Sequence, residues 1–116
     1  MRITLPKTIS ITAFASISGL GNDPNSIWQN YLNDNHCFIE TTIGNQNIAI
    51  APLNSDSKKE IEELKKSDSK YKSLDHSVLF AIAASRKAIK NAGWQKNDTF
   101  GINIGSSRGA TELFEK

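Results

Sequence analysis

A short segment rich in glycine and serine carries the side chains best suited to chemistry in this sequence. Residues 105–109 read Gly-Ser-Ser-Arg-Gly, so glycines stand two positions before and two positions after Ser107. This Gly-x-Ser-x-Gly spacing is typical of a nucleophile elbow, in which a sharp turn between a strand and a helix exposes a reactive serine. A serine hydrolase acting through Ser107 is one hypothesis, although no acid and histidine pair follows Ser107 to complete a triad.

The same segment could instead hold an anion. Backbone N–H groups at the start of a helix bind phosphate groups, and a Gly-Ser loop before a predicted helix would present such groups. The segment lacks the Gly-x-x-x-x-Gly-Lys-Ser/Thr spacing of a P-loop, so a nucleotide site is not predicted. A stand-alone module that binds a phosphate-bearing ligand is a second hypothesis, and a tight turn after a strand is the plainest interpretation.

Other reactive side chains are few. Cys37 is the single cysteine, which excludes an internal disulfide, leaves too few thiols for structural zinc and favours a cytoplasmic setting. It lies in a hairpin-like segment and not at a strand–helix elbow, so we do not expect it to be a nucleophile. His36 and His76 have no ligand spacing between them. We expect two surface histidines, no metal and no cofactor.

Length and charge narrow the class of protein. The 116 residues amount to one domain or a piece of one, and Met1 suggests that the chain starts where its gene does. The formal net charge of +2 is too near balance to indicate a nucleic acid or an anionic membrane as a partner. Polar residues interrupt the apolar ones in 3–17, so neither a secretory signal nor a membrane span is predicted.

Two segments, residues 9–15 and 99–105, alternate between apolar and polar residues, which predicts a strand in each. Two long strands are too few for an α/β sheet. We therefore interpret the chain as a fragment of a larger enzyme, in which these strands lie side by side and parallel. Between them, residues 38–50 predict a hairpin that turns at Gly44.

Two helices have clear start and stop signals. One is predicted over 24–32, where Asp23 can cap the first N–H groups. The stronger one is predicted over 74–91, with Ser73 as its cap and Gly93 just past its end.

One continuous face of the stronger helix combines small and branched apolar residues, namely Leu74, Val78, Ala81, Ile82, Ala88, Ile89 and Ala92. Such a face favours close packing on a sheet. Leu79 and Phe80 lie off this face, so the helix needs cover on a second side as well.

The remaining segments are polar. Residues 54–72 are mostly charged, with Ile61 and Leu64 as the apolar anchors of a short helical pattern, and they predict an exposed excursion. Residues 110–116 predict the first turns of another helix.

The order and spacing of several motifs resemble one known family. They are the Ser-Gly-Leu-Gly turn in residues 11–21, the Ile-Trp and Tyr-Leu pairs in 27–32, the basic stretch with Leu-Asp in 70–75, the Ala-rich helix ending Ala-Gly in 83–94 and the Gly-Ser loop in 101–110. Together they resemble the β-ketoacyl-(acyl carrier protein) synthases, condensing enzymes with the thiolase fold. The segment from 37 to 69 matches only loosely.

The resemblance implies an α/β, thiolase-like fold, of which residues 1–116 would be an incomplete N-terminal segment of the layered αβαβα domain. It implies an acyltransferase that condenses an acyl group with malonyl-acyl carrier protein, so the partners would be acyl carrier protein and acyl thioesters. The family's cysteine nucleophile and two histidines lie downstream, so the fragment itself should be inactive. The complete enzyme would be a homodimer or a heterodimer of synthase-like chains.

The resemblance also assigns site residues. Ser107, Arg108 and Gly109 would border the substrate pocket. Related enzymes often have an apolar residue where Arg108 stands, and an unpaired guanidinium is costly to bury in an acyl tunnel. A specialised acyl chain, such as a polyene, aryl or polyketide-like one, is therefore expected. Ala13 and Ala15 replace glycines that are usual in the family, which displaces the first turn slightly.

Overall fold

Four helices and one hairpin form the regular structure of the chain between Thr8 and Glu115. The computed structural model describes residues 8–34 and 36–115. The elements are α1 (Pro24–Leu32), β1 (Ile39–Ile43), β2 (Gln46–Ile50), α2 (Ser55–Ser67), a 3-10 turn (Ser69–Tyr71), α3 (His76–Ala92) and α4 (Thr111–Phe114). Within these residues, no helix is long and apolar enough to cross a membrane.

The core lies between α2 and α3. It consists of Ile61 and Leu64 from α2 and of Leu79 and Ala83 from α3, and Leu79 is fully buried. In each helix the two core residues are three or four positions apart, so they share one face and meet the other helix. Leucine and isoleucine side chains removed from water in this way each contribute about 1.5 to 3 kcal/mol.

This core corrects one sequence-based prediction and confirms another. The segment 54–72 is not simply an exposed excursion, because Ile61 is only 3% exposed and Leu64 only 9%. The buried side of α3 holds Leu79, so the prediction that this helix needs cover on a second side is confirmed. The reason is that α2 folds back onto α3 and covers the second side, which sequence patterning could not assign.

The two predicted long strands are absent from the described residues. Neither 9–15 nor 99–105 pairs with another strand, and the only sheet found between residues 8 and 115 is the hairpin β1–β2. Ile11 and Ile104 are 86% and 80% exposed. A strand needs a hydrogen-bonded neighbour, and among the described residues neither segment has one. The prediction of neighbouring parallel strands is therefore wrong for this structure, and the small hairpin does not display the layers of an αβαβα fold.

The radius of gyration shows how compact the chain is. The Cα radius of gyration is 17.7 Å, whereas a compact domain of this length has about 13 Å. The chain is therefore less compact than a single domain of its length.

The hairpin and the helix ends mostly follow the predictions. Gly44 has a φ of 61° between Ile43 and Gln46, which pair across the turn, so the hairpin is confirmed. Asp23 caps α1 as predicted, because its carboxylate accepts hydrogen bonds from the Asn25 and Ser26 N–H groups.

The stronger helix ends where glycine predicted it would. Gly93 has a φ of 72° and closes α3 in the left-handed conformation. The prediction of Ser73 as its cap is wrong. The cap is Asp75, two positions later, whose side chain accepts from the Ser77 N–H group.

A polar junction joins α2, α3 and the turn before α1. The Lys87 Nζ atom lies 2.7 Å from Glu60 Oε2 and 2.7 Å from the backbone oxygen of Asn22. The Asn22 side-chain amide donates to the same Glu60 oxygen. Since the Lys87 and Glu60 side chains are only 31% and 30% exposed, the pair is shielded more than an ordinary surface salt bridge.

Candidate functional site

The Gly-Ser segment forms an exposed turn that leads into the short helix α4. Gly109 has a φ of 68°, and its N–H group donates to Ser106 Oγ at 2.9 Å. Ser107, Arg108 and Gly109 are all exposed. The structure thus brings the three predicted site residues together on one turn, as their adjacency in sequence requires.

An apolar groove runs from this turn along α3. Its volume is about 670 Å³, and one wall is the face of α3 predicted to be apolar, including Ala81, Ile82 and Ile89. The opposite wall is the extended segment 100–106, including Ile102. Pockets for small organic ligands typically measure about 300 to 1,000 Å³ and are mostly apolar. The groove therefore has the size and character to take an apolar chain.

The predicted site residues differ in their relation to this groove. Gly109 lines it together with Ser106, whereas Ser107 and Arg108 are exposed and do not line it. Since the Arg108 guanidinium is exposed, it carries no burial cost in this structure.

One carboxylate ties the turn to the start of α3. Asp75 is only 3% exposed. Its Oδ1 atom accepts from the Ser77 N–H group at 2.7 Å and from the Ser77 hydroxyl at 2.6 Å. Its Oδ2 atom accepts from the Glu112 N–H group of α4 at 2.9 Å. These hydrogen bonds, above all the one from the Ser77 hydroxyl, hold the pKa of Asp75 below its ordinary value.

A second contact joins the same two helices. His76 Nδ1 lies 3.0 Å from both carboxylate oxygens of Glu112. His76 is a surface histidine, as predicted, with 45% of its side chain exposed, and it also pairs with Glu112. Sequence reasoning missed both contacts, and the only available signal was the preference for aspartate at a helix start, because Asp75 and Glu112 are far apart in the chain.

Cys37 lies apart from this site. It is half-buried and unpaired with another cysteine, and it lies beside Gly19 in the turn before α1. Within residues 8–34 and 36–115, no cluster of three or more potential metal ligands occurs.

A smaller apolar cavity of about 380 Å³ lies between α1, residues 14–16 and the end of α3. Trp28 and Tyr31 of α1 line it, with their rings stacked at 5.9 Å. Both rings remain largely exposed, at 57% and 69%. The side of α1 that carries Trp28 and Tyr31 thus forms a wall of this cavity, and α1 has no buried residue.

Comparison with known sequences gives a family match that covers nearly the whole chain. Residues 7–116 match the family described as "Beta-ketoacyl synthase, N-terminal domain". No solved structure gives a significant match.

Curated relatives agree with the family match. The 3-oxoacyl-[acyl-carrier-protein] synthase 2 of Staphylococcus aureus strain N315 is 29% identical over 118 residues, which cover 94% of this chain and 27% of the relative. The enzyme of the same name from strain COL gives the same identity and coverage. The chain therefore spans about a quarter of the length of the curated relatives that it matches.

Proposed function

Because this chain belongs to the β-ketoacyl synthase family and matches its N-terminal domain, we propose that it is the N-terminal segment of a condensing acyltransferase. The proposed enzyme takes an acyl group from acyl carrier protein onto a cysteine and condenses it with malonyl-acyl carrier protein, releasing CO₂. The observation that carries this proposal is the family match over residues 7–116. The apolar groove that ends at the Gly-Ser turn supports it, because an acyl chain requires an apolar channel.

The residues of this chain have a binding role in the proposal. The groove wall of α3 contacts the apolar chain, and the turn borders the end of the groove through Ser106 and Gly109, with Ser107 and Arg108 exposed beside them. The cysteine nucleophile and the two histidines would lie beyond Lys116, so this segment is inactive by itself. The product belongs to fatty acid, polyene or polyketide-like biosynthesis. The complete enzyme is cytoplasmic and acts as a homodimer or as a heterodimer of synthase-like chains.

The test uses the product of the complete reading frame. With acyl-acyl carrier protein and radiolabelled malonyl-acyl carrier protein, we expect release of labelled CO₂ and an acyl thioester on a cysteine downstream of residue 116. The 116-residue chain is the matched control and should release none. Absence of both the thioester and CO₂ release from the complete, folded protein with a range of acyl groups would refute the proposed function.

The acyl chain is tested through Arg108. Arg108→Leu introduces the apolar residue that related enzymes often have, whereas Arg108→Lys keeps the charge. We expect the leucine variant to gain activity with long saturated acyl chains relative to the lysine variant. Equal chain preference in both variants would remove Arg108 as a specificity determinant.

One observation favours the hydrolase alternative. A histidine whose Nδ1 faces a carboxylate, as His76 faces Glu112, has the orientation used in serine hydrolase triads. In the described part of the chain, however, no hydrogen bond joins Ser106 or Ser107 to that imidazole. Labelling with a fluorophosphonate distinguishes the two functions, because a hydrolase would be labelled at Ser107 and its Ser107→Ala variant would not.

A further inference from the structure

Asp75 does more than an ordinary helix cap requires. A cap needs one oxygen that accepts from the first N–H groups, and Oδ1 of Asp75 does this through Ser77. Its second oxygen, Oδ2, accepts from the Glu112 N–H group, 37 positions along the chain. Both oxygens of a carboxylate that is 3% exposed are therefore used, each toward a different helix.

This arrangement fixes the far end of the Gly-Ser turn. The turn is closed internally by the hydrogen bond from Gly109 N–H to Ser106 Oγ, but that bond does not attach the turn to the rest of the molecule. The attachment is made just after the turn, where Glu112 contacts Asp75 through its backbone and His76 through its carboxylate. Since α4 has only four residues and no buried residue, it has little packing of its own to hold it.

We propose that Asp75 is a positioning residue, which holds the Gly-Ser turn at the end of the α3 groove through the backbone N–H group of Glu112. The positioning is a property of this chain, whereas its effect on acyl substrates rests on the function proposed above. The groove lining supports the link, because Ser77 of the cap and Ser106 and Gly109 of the turn all line the same groove.

The first test separates the two roles of the carboxylate. Asp75→Asn retains one oxygen that can cap α3, but its amide nitrogen cannot accept from Glu112. By NMR hydrogen exchange we expect the Glu112 amide to exchange roughly tenfold faster, because a hydrogen bond to a charged group is lost. The amides in the middle of α3 should remain unchanged. Ser77→Ala is the matched control, since it removes the hydroxyl bond to Asp75 and leaves the Glu112 bond intact.

The second test perturbs the donor. Glu112→Pro removes the N–H group in the first turn of α4, where proline is tolerated, and Glu112→Ala removes only the carboxylate that contacts His76. We expect the proline variant to accelerate exchange of the Gly109 amide more than the alanine variant does. Equal exchange in these two variants, or an unchanged Glu112 amide in Asp75→Asn, overturns the proposed positioning.

The consequence for substrates is measured on the complete protein. We expect Asp75→Asn to raise KM for acyl-acyl carrier protein by roughly tenfold with little change in kcat, since positioning affects binding and leaves the reacting groups in place. Asp23→Asn, the same change at the cap of α1 and outside this groove, should change neither constant. An unchanged KM in Asp75→Asn overturns the role in substrate binding. If the complete protein performs no condensation, the proposed function fails, and the exchange experiments alone decide the positioning.

Discussion

Replacing Leu79 with alanine tests whether the contact between α2 and α3 holds this structure together. Leu79 is fully buried, and the other buried apolar residues of the described chain are Ile61, Leu64 and Ala83. Leucine-to-alanine changes at such sites cost about 2.7 to 5 kcal/mol, from lost burial and the cavity that remains. Because this core is small and can partly collapse, we expect about 3 kcal/mol.

Ile89→Ala is the matched control. Ile89 lies on the groove face of the same helix and is 37% exposed. Its truncation should cost about 1 kcal/mol, because less area is removed from water and the groove side leaves no closed cavity. The difference between the two variants, about 2 kcal/mol, decides whether the side of α3 that faces α2 contributes more to stability than the groove side.

Urea unfolding followed by circular dichroism measures both values. With a slope of about 1.5 kcal/mol per molar urea, Leu79→Ala should lower the midpoint by about 2 M and Ile89→Ala by less than about 1 M. If Ile89→Ala is the more damaging of the two, α2 does not cover α3 as described and the reasoning fails.

Three further predictions concern other contacts. Glu60→Gln removes the ion pair of Lys87, which is only partly shielded from solvent. The free energy of unfolding, measured by urea denaturation, should fall by about 1 kcal/mol. An unchanged free energy would show that solvent screens the pair. Bonds from Ser26 lower the pKa of Asp23 below 3.8, so the stability it contributes is present above that pH and is lost as the pH falls through its folded pKa. Asp23→Asn should flatten the acid limb of the stability curve, and an unaltered limb would contradict this assignment. Gly19→Ala places a Cβ atom 2.9 Å from the Cys37 sulfur and should lower the free energy of unfolding by about 1 to 3 kcal/mol. Gly105→Ala is the control, because its Cβ atom meets open space and stability should hardly change. Equal melting temperatures of the two variants would refute the close approach.

Local signals allowed the helices and the hairpin to be predicted closely. The bounds of α1, the turn at Gly44 and the end of α3 before Gly93 depend on residues within a few positions of one another. Capping by Asp23 is local in the same way, because the carboxylate reaches N–H groups of the next turn. Such features are determined by short segments whatever the rest of the chain does.

The strands could not be predicted in this way. The alternation in 9–15 and 99–105 satisfies the sequence criterion for a strand, yet a strand exists only where a second chain segment supplies hydrogen bonds. In residues 8–34 and 36–115 the paired strands are β1 and β2 alone. The exposed isoleucines of both segments, including Ile9 at 92%, show how little of their apolar surface is covered here.

The sequence by itself determined the family, through the order of its motifs, and it determined the amphipathic face of α3 that lines the groove. Only the tertiary structure decided that α2 covers the opposite side of that helix, with Leu79 at the centre of the contact. It also brought Asp75 and His76 to Glu112. Hydrophobic periodicity indicates which side of a helix or strand is apolar. The segment that packs against that side is determined by contacts between residues far apart in the chain, which no local pattern predicts.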